Sequence, residues 1–565
     1  NAEDEGLFMS HASHGAQDAQ DFVNNIQCKI NAQEGNSLPV SAFKDYVDGT
    51  TPSGTAAYEK RGIAVNVPVW VPDNCIQCNR CAYVCPHAAI RPVAMTADET
   101  ANAPEGIKTL PLTGMKDYTF TMTVSALDCT GCGSCANVCP GKKGNKALEM
   151  APLEANTEEQ KFFDYGVTLP QKEDVIAKYK ETTVKGSQFK QPLLEFSGAC
   201  AGCGETPYAK LITQLFGDRM YIANATGCSS IWGNSSPSTP YTVTPEGKGP
   251  AWSNSLFEDN AEFGYGMLLA QNTIRDRLKA KVEKIAEKTT DEAVKAAAAE
   301  YLETYTVGAT NGTATDKLVA ALEALDCDCE ERAEVLKNKD FLAKKSQWIF
   351  GGDGWAYDIG YGGVDHVLAS KKDINIMVFD TEVYSNTGGQ SSKATKTGAT
   401  AQFAAGGKET KKKDLAGMAM TYGYVYVAQI AMGADFNQTV KAIAEAEAYP
   451  GPSLIIAYAP CINHGIKKGM SKAQTEEQLA VECGYWNNFR YNPAAEGDKF
   501  SLDSKAPKAE GYQDFLNGEV RYNALKRANP AKADKLFALN EQEAMERYDY
   551  LNKLVTVYAA EKEDK

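Results

Sequence analysis

The stretch WIFGGDGWAYDIGYGGVDHVLASKKDINIMVFDTEVYSNTGGQ, residues 348–390, decides the fold of this chain. It begins with a short apolar run ending in glycines, continues through a helix-length segment, and ends in the β-branched run INIMVFD and a polar turn. This order predicts a βαβ unit whose two strands are parallel neighbours. Ligands bind such sheets at the carboxyl ends of the strands. Asp353 and the turn at 381–386 lie at those ends and mark a candidate site.

The chemistry of these two turns suits a diphosphate with a divalent cation. Glycines let backbone N–H groups approach phosphate, and the Asp353 carboxylate can hold the cation. A Gly-Asp-Gly turn alone is equally compatible with any α/β protein. Its spacing to Asn386 resembles the thiamine diphosphate signature, although Ser385 stands where that motif usually has a first Asn. The resemblance implies Mg²⁺ ligands from Asp353, the Thr381 side chain and the Val383 carbonyl. Asn386 would then face the reacting end of the cofactor.

Length and composition describe a multidomain protein. The 565 residues suffice for two to four domains, and 43% hydrophobic with 23% charged residues is ordinary for a soluble chain. No apolar run approaches the length of a membrane helix, and the first residues show no signal peptide. The net charge of −15 argues against nucleic acid as a partner. Because the chain begins with Asn, we interpret it as a C-terminal piece or a subunit of something larger.

Eight of the 16 cysteines form two related runs, CIQCNRCAYVCP at 75–86 and CTGCGSCANVCP at 129–140. Both have the spacing C-x₂-C-x₂-C-x₃-C-P that is typical of bacterial two-cluster ferredoxins. Disulfides would be expected in a small secreted protein, whereas tight runs in a large chain indicate metal sites. Zinc is the competing metal, but zinc ribbons do not show this doubled run ending in Pro. The runs therefore predict two 4Fe-4S clusters.

The spacing also predicts how the cysteines are shared. The first three thiolates of each run converge on one cluster, and the fourth points at the other. One predicted set is Cys75, Cys78, Cys81 and Cys139. The second predicted set is Cys85, Cys129, Cys132 and Cys135. The insert between the runs contains an alternating stretch at 118–124 that predicts a strand.

Four further cysteines lie in separate loops. Cys200 and Cys203 belong to GACAGCGET, Cys228 to ATGCSSIWG, and Cys461 follows an apolar run at 453–459. They would suit a third 4Fe-4S cluster, or a redox pair with two buried thiols. Spacing alone leaves both interpretations open.

The domain prediction has three parts. Residues 1–66 form a tail or linker that packs on other parts of the molecule. Residues 67–165 form an α+β ferredoxin-like domain with two 4Fe-4S clusters. Residues 166–565 form an α/β thiamine diphosphate-binding domain with a mostly parallel sheet and flanking helices. Within it we expect a helical insertion at about 271–345, broken at 307–315, and a helical tail at about 510–565.

The order of motifs is specific. The ferredoxin runs are followed by GACAGCGE, TGCSSIWG, GDGWAYDIG and SNTGGQ. From the neighbourhood of Glu59, Lys60 and Arg61 onward, this order resembles the C-terminal half of the pyruvate:ferredoxin (flavodoxin) oxidoreductase family. The resemblance implies oxidation of pyruvate with coenzyme A to acetyl-CoA and CO₂. Electrons would pass one at a time through three 4Fe-4S clusters to ferredoxin or flavodoxin.

The resemblance also implies roles for particular residues. The third cluster would be held by Cys200, Cys203, Cys228 and Cys461. The residues implied to contact the thiamine cofactor are Glu205, Cys228, Gly352, Asp353, Gly354, Trp355, Thr381, Val383, Tyr384, Ser385 and Asn386. Asn386 is the candidate catalytic group facing the substrate. His464 is a second candidate, although a His after a Cys ligand is more often a structural hydrogen-bonding group.

The resemblance further implies that the site is incomplete in this chain. The catalytic Glu and most substrate and coenzyme A contacts would come from an absent N-terminal half. A homodimer and an anaerobic cytoplasm are expected. Lys142 and Lys143 would border the exit cluster and attract an acidic acceptor.

Two alternatives stay open. One is a related enzyme for another 2-oxo acid, although the fused ferredoxin module favours pyruvate. The other is a pure electron-transfer protein with a degenerate thiamine domain, against which Asp353, Thr381 and Asn386 argue.

Overall fold

The computed structural model describes residues 17–235, 238–327 and 329–560. The first 16 residues of the predicted N-terminal tail and the last five of the predicted helical tail lie outside this range. Across the described ranges, no helix is both long and apolar enough to cross a bilayer.

Residues 66–152 form two small antiparallel sheets. Their strands are β1 (Asn66–Trp70), β2 (Ile90–Met95), β3 (Leu110–Pro111), β4 (Thr119–Val124) and β5 (Leu148–Pro152). Strand β1 pairs with β5, and β4 lies between β2 and β3. The strand predicted at 118–124 is confirmed as β4. Trp70, Phe120 and Phe163 pack in the core beneath the cysteine runs.

The second part is built on one large sheet and a small hairpin. The strands are β6 (Met220–Ala225), β7 (Ala251–Ser255), β8 (Ser346–Gly352), β9 (Ile374–Asp380), β10 (Val383–Tyr384), β11 (Gln390–Ser391), β12 (Tyr426–Ile430), β13 (Pro452–Tyr458), β14 (Phe489–Tyr491) and β15 (Phe500–Leu502). The sheet order is β15-β14-β12-β13-β9-β8-β6-β7, and β10 pairs with β11. From β12 to β7 every neighbouring pair is parallel. The predicted α/β class and the βαβ unit β8–β9 are confirmed.

Side-chain alternation explains why helices cover both faces of the sheet. On β8 and β9, Ile349 and Ile376 face one core, whereas Trp348 and Met377 face the other. A strand that is apolar on both faces must be covered by helices on each face.

Apart from four helices between β7 and β8, the α-helices of the described residues are Gln17–Phe22, Cys28–Asn31, Arg80–Tyr83, Ala97–Ala101, Ser134–Val138, Glu159–Thr168, Glu173–Tyr179, Val184–Ser187, Thr206–Phe216, Cys228–Ser230, Tyr361–Ala369, Leu415–Met420, Phe436–Ala448, Ala473–Glu482, Tyr512–Asn517, Val520–Ala528 and Pro530–Val557.

Between β7 and β8 the chain forms four helices with a hydrophobic core of their own. They span Asn260–Lys288, Glu292–Glu303, Gly308–Ala324 and Glu330–Lys337. The break expected at 307–315 is misplaced: the chain leaves the helix between Glu303 and Gly308, and the helix beginning at Gly308 runs through the rest of the expected range. Asn311 is fully buried there and accepts hydrogen bonds from Arg275 (3.2 Å) and the Lys344 amide (2.7 Å). These tertiary contacts outweigh the weak helix propensity of the local sequence.

The loops after β6, β8 and β9 meet at the point where the chain reverses its direction across the sheet. The chain passes outward from β6 to β7 and then returns to β8 on the other side of β6. This topological switch point is where open α/β sheets form a ligand crevice.

The buried strand β9 provides a test of this core. Ile376→Ala removes a fully buried side chain, so we expect a loss of about 2–5 kcal/mol in unfolding free energy. Thermal unfolding should show a clearly lower midpoint. Val307→Ala, at a position 46% exposed, is the control and should change stability by less than about 0.5 kcal/mol. Equal midpoints for the two variants would contradict the assignment of Ile376 to the core.

Candidate cofactor and cluster sites

A cavity lies at the carboxyl ends of β6, β8 and β9. It is lined by Glu205, Thr226, Gly227, Cys228, Ser229, Phe257, Gly352, Gly354, Trp355, Thr381, Val383, Tyr384, Ser385, Asn386 and Thr387. Apart from Asp353, which lies directly behind the wall, every residue predicted to contact the thiamine cofactor lines it. Gly354 is required by packing, since a Cβ there would lie 2.5 Å from the Tyr384 ring.

The three oxygen atoms predicted to bind Mg²⁺ lie close together beside this cavity. The Thr381 hydroxyl lies 3.1 Å from Asp353 Oδ1 and 3.0 Å from the Val383 carbonyl oxygen. Ser392 Oγ donates to Asp353 Oδ2 at 2.5 Å. Burial, followed by the charge of Asp380, raises the pKa of Asp353 well above its usual value. A carboxylate, a hydroxyl and a carbonyl are hard ligands of the kind Mg²⁺ prefers, and a cation would stabilise the buried carboxylate. The donor set therefore fits the predicted metal.

A buried charge network supports the loop at 381–386, here named the ligand loop. Glu382 lies between Thr381 and Val383, is fully buried and has a φ of 61°. Its carboxylate forms ion pairs with Lys412 (3.1 Å) and Arg521 (2.8 Å). Burial alone would raise the pKa of Glu382, but Lys412 and Arg521 hold it below its usual value. Arg521 also pairs with buried Glu519 at 2.6 Å. These pairs hold the loop in a conformation that a non-glycine residue rarely adopts.

Glu205 and Cys228 lie together on another wall. The Glu205 carboxylate accepts a hydrogen bond from Trp232 Nε1 at 2.7 Å, and burial raises its pKa to about 7. This carboxyl group can therefore gain or lose a proton near neutral pH. Cys228 Sγ lies 3.1 Å from Ser385 Oγ. Asn386 lines the cavity and is exposed to solvent.

His464 lies outside this cavity lining. It is fully buried, and its Nε2 lies 2.7 Å from the Thr381 carbonyl oxygen. Burial, followed by the charge of Arg521, lowers its pKa to about 3, so the ring is neutral. A neutral ring with Nε2–H donates to that carbonyl and positions the ligand loop. This geometry favours the structural role over the substrate-facing one.

Each predicted ferredoxin-type set lines one cavity. Cys75, Cys78, Cys81 and Cys139 line the first. Cys85, Cys129, Cys132 and Cys135 line the second. None of these eight cysteines forms a disulfide. Backbone amides of Gln77, Gly131 and Ala147 donate to cysteine sulfurs at 3.3–3.4 Å. Such N–H···S bonds are among the features that tune iron–sulfur clusters, so the cavities fit the predicted group.

The third cysteine set surrounds the junction of three loops. The Gly204 amide donates to the Pro460 carbonyl at 3.1 Å, which brings Cys203 near Cys461. Burial, followed by the charges of Glu205 and Cys200, raises the pKa of Cys461 to about 12. Burial likewise raises the pKa of Cys228, with Glu205, Cys461 and Cys203 contributing. Four thiols from three loops therefore lie beside the cofactor cavity, and Cys228 belongs to both the cysteine set and the cavity wall.

Some supporting residues are not evident from the sequence. Arg521 lies in the C-terminal helical region, about 140 positions from Glu382, and no local pattern links the two. Ser392 belongs to the polar stretch after Asn386, where its position directly after a short strand is a weak signal. His87 follows the first Cys-Pro, and its Nε2 lies 3.0 Å from the Ala199 carbonyl oxygen.

Three family models match parts of the chain. They describe a domain of unknown function named EKR (residues 10–64), a 4Fe-4S dicluster domain (71–143) and a C-terminal thiamine pyrophosphate-binding domain (336–457). These matches define an iron–sulfur protein with a thiamine diphosphate-binding domain.

Curated relatives narrow the class. A pyruvate-flavodoxin oxidoreductase from Enterobacter agglomerans is 56% identical over 95% of this chain and 46% of its own length. A pyruvate:ferredoxin oxidoreductase from Moorella thermoacetica is 56% identical over 94% of this chain and 46% of its own. A pyruvate dehydrogenase [NADP(+)] from Euglena gracilis is 47% identical over 91% of this chain and 28% of its own length. The chain belongs to the pyruvate:ferredoxin (flavodoxin) oxidoreductase family. It spans about half the length of the first two relatives.

The buried network beneath the ligand loop can be tested with Arg521→Met. This change leaves Glu519 buried without its arginine partner and leaves Glu382 with Lys412 alone, so we expect a loss of about 3–5 kcal/mol in stability and weaker Mg²⁺-dependent thiamine diphosphate binding. Thermal unfolding and titration calorimetry measure the two effects. Arg527→Met, an exposed site on the same helix, is the matched control. Wild-type affinity in Arg521→Met would contradict the supporting role.

Proposed function

We propose that this chain provides the diphosphate-binding half of the active site and the electron path of a pyruvate:ferredoxin or pyruvate:flavodoxin oxidoreductase. The observation that carries the proposal is the shared wall at Cys228. The cavity with the Asp353, Thr381 and Val383 oxygens is lined by Glu205 and Cys228, and Cys228 also belongs to the third cysteine set. A cofactor cavity directly beside a cluster site suits a reaction whose electrons leave singly.

The residues of the chain bind and orient the cofactor. Asp353, Thr381 and the Val383 carbonyl would hold Mg²⁺, and the glycines would admit the diphosphate. Bound thiamine diphosphate supplies an electron sink for removing CO₂ from a 2-oxo acid. Glu205 holds or releases a proton at the inner wall, and Asn386 presents a polar amide to the substrate at the outer end.

The three cysteine sets would form an ordered path through three 4Fe-4S clusters. Burial raises the pKa of the Cys132 thiol, and the nearby backbone of Gly202, between Cys200 and Cys203, partly offsets this rise. The third set therefore adjoins the cavity of Cys85, Cys129, Cys132 and Cys135. The other ferredoxin-type cavity is bordered by Gly141, which leads to exposed Lys142 and Lys143. Electrons would pass from the third set through these two cavities to the surface.

The rest of the relatives' length would complete the enzyme. In this proposal the catalytic Glu, most substrate contacts and the coenzyme A site come from that remaining part, and the enzyme is a homodimer. Ferredoxin or flavodoxin is the acceptor that most of the relatives' names support. The Euglena protein is named for NADP(+), although it matches this chain closely over only 28% of its own length. We therefore infer that residues outside this chain help to determine the electron acceptor.

Two other functions would be separated by one assay. A related enzyme would prefer another 2-oxo acid, and a pure electron-transfer protein would oxidise none. The complete protein is assayed under anaerobic conditions with coenzyme A and a viologen dye, against pyruvate, 2-oxoglutarate and branched-chain 2-oxo acids. Preference for pyruvate supports the proposal, and no activity with any of them would overturn it.

The cofactor and cluster sites should be separable by substitution. We expect about twelve irons per chain in the wild type, at four per cluster. Asp353→Asn should keep all of them but lose Mg²⁺-dependent thiamine binding and pyruvate oxidation. Cys200→Ser should lower the iron content to about eight. Asp326→Asn, at an exposed site in the helical insertion, should behave like wild type. Eight irons in the wild type would remove the third cluster from the proposal.

The exit surface can be tested by charge reversal. Lys142→Glu with Lys143→Glu should slow acceptor reduction about tenfold or more at low ionic strength, because attraction of an acidic partner is lost. The difference should shrink as salt is added. Stopped-flow kinetics with ferredoxin or flavodoxin measures it. Lys371→Glu with Lys372→Glu is the matched control, since that exposed pair precedes the amino end of β9. Unchanged rates at low salt would contradict this docking surface.

A further inference from the structure

We propose that residues 54–62, here named the strap, set the position of the third cysteine set relative to the neighbouring ferredoxin-type cavity, with Lys60 and Arg61 as positioning residues. The strap forms the end of the region that matches the domain of unknown function, residues 10–64. The inference assigns a role to this end of the domain. It rests on the proposed function, because it concerns how electrons cross between the two sites.

On one side the strap binds the ferredoxin-like part. Lys60 is 3% exposed, and its Nζ donates to Asp128 Oδ2 at 2.7 Å and to the Ala57 carbonyl at 2.8 Å. The Gly62 amide donates to the Leu127 carbonyl at 2.8 Å. Asp128 directly precedes Cys129, so Lys60 holds the side chain of the residue next to this predicted ligand.

On the other side the strap binds the α/β part. The amides of Gly54 and Ala56 donate to the carbonyls of Tyr241 (2.7 Å) and Thr239 (3.1 Å). Gly54 has a φ of +77°, and a Cβ there would lie 2.7 Å from Thr242 Oγ1, so this close approach requires glycine. Arg61 Nη1 donates to the Ser197 carbonyl at 3.3 Å and pairs with Glu59. Ser197 lies three residues before Cys200.

Phe196 is the point where these contacts meet. Its ring lies 4.9 Å from Lys60 Nζ and 5.5 Å from the Arg91 guanidinium, both within cation–π range. Its backbone has a φ of 53°, and its amide donates to the His87 carbonyl at 2.9 Å. His87 Nε2 lies 3.0 Å from the Ala199 carbonyl oxygen. The loop before Cys200 is thus held by the strap and by the residue after the Cys85-Pro86 turn.

A buried ion pair is a costly way to join two domains, since apolar packing is often at least as stable. What a buried pair can add is one defined geometry. The Lys60–Asp128 pair lies where the backbones leading to Cys129 and Cys200 come together. A defined separation is useful there, because electrons must cross between the sites that these cysteines border.

The test uses the complete enzyme with the double variant Lys60→Met and Asp128→Asn, which removes both charges and leaves neither buried alone. We expect wild-type iron content and unchanged reduction of the third cluster by pyruvate. Reduction of the ferredoxin-type clusters by the third cluster should be about tenfold slower, because the rate of transfer falls when the reacting centres are displaced from their native separation. In dithionite-reduced protein without substrate, the magnetic coupling between clusters in the EPR spectrum should weaken. Lys44→Met, an exposed site in the same region, is the control.

Arg61→Met is a milder second variant, because it removes only the contacts to Ser197 and Glu59, and it should shift coupling and transfer in the same direction. It decides the outcome if the double variant loses iron. Wild-type EPR coupling and transfer in the folded variants would overturn the positioning role. The EPR measurement needs no pyruvate, so it separates this inference from the proposed function. Failure of the wild type to oxidise any 2-oxo acid would overturn only the latter.

Discussion

The site depends on one constraint, the burial of the Asp353 carboxylate at the end of β8. A carboxylate taken out of water is stable only if other groups or a cation compensate it. The hydroxyls of Thr381 and Ser392 supply part of this, and they come from the loops after β9 and β11. The loop after β9 also contains Glu382, whose backbone has a positive φ and whose carboxylate is held by Lys412 and Arg521. The buried Asp353 carboxylate is thus linked, through the loop that contains Glu382, to Arg521 in the C-terminal helices.

A second theme is that close backbone contacts join the sites, in addition to the side-chain contacts of Lys60 and Arg61. The Gly204 amide donates to the Pro460 carbonyl, and the backbone of Gly202 lies near enough to Cys132 to affect the pKa of its thiol. Glycine allows these approaches because any Cβ would collide; at Gly204 it would lie 2.5 Å from the Pro460 nitrogen. Such contacts have little freedom to adjust. The relative placement of the cofactor cavity and the cysteine sets is therefore a property of the fold as a whole.

The sequence predicted the parts of the fold that carry a strong local pattern. The strands around Asp353, the doubled cysteine runs and the α/β class follow from periodicity and spacing, and the structure contains them. It could not predict the helix through 308–315, because Asn311 is stabilised there by residues from distant segments. Arg521 and His87 were missed for the same reason. Their roles arise from contacts that only the folded chain creates, and neither residue stands out in its local sequence.

The helix Asn260–Lys288 has a consequence for how this protein can change. Its 29 residues extend about 44 Å, whereas a seven-residue strand such as β8 covers about 23 Å. The helix therefore outruns the sheet on the side of the strands' amino ends, opposite the cofactor cavity. The bundle built on its far end has a separate core. Insertions, deletions or a fused reporter in that bundle would be separated from the cavity by the length of the strands, so the bundle can change without moving the residues of the site.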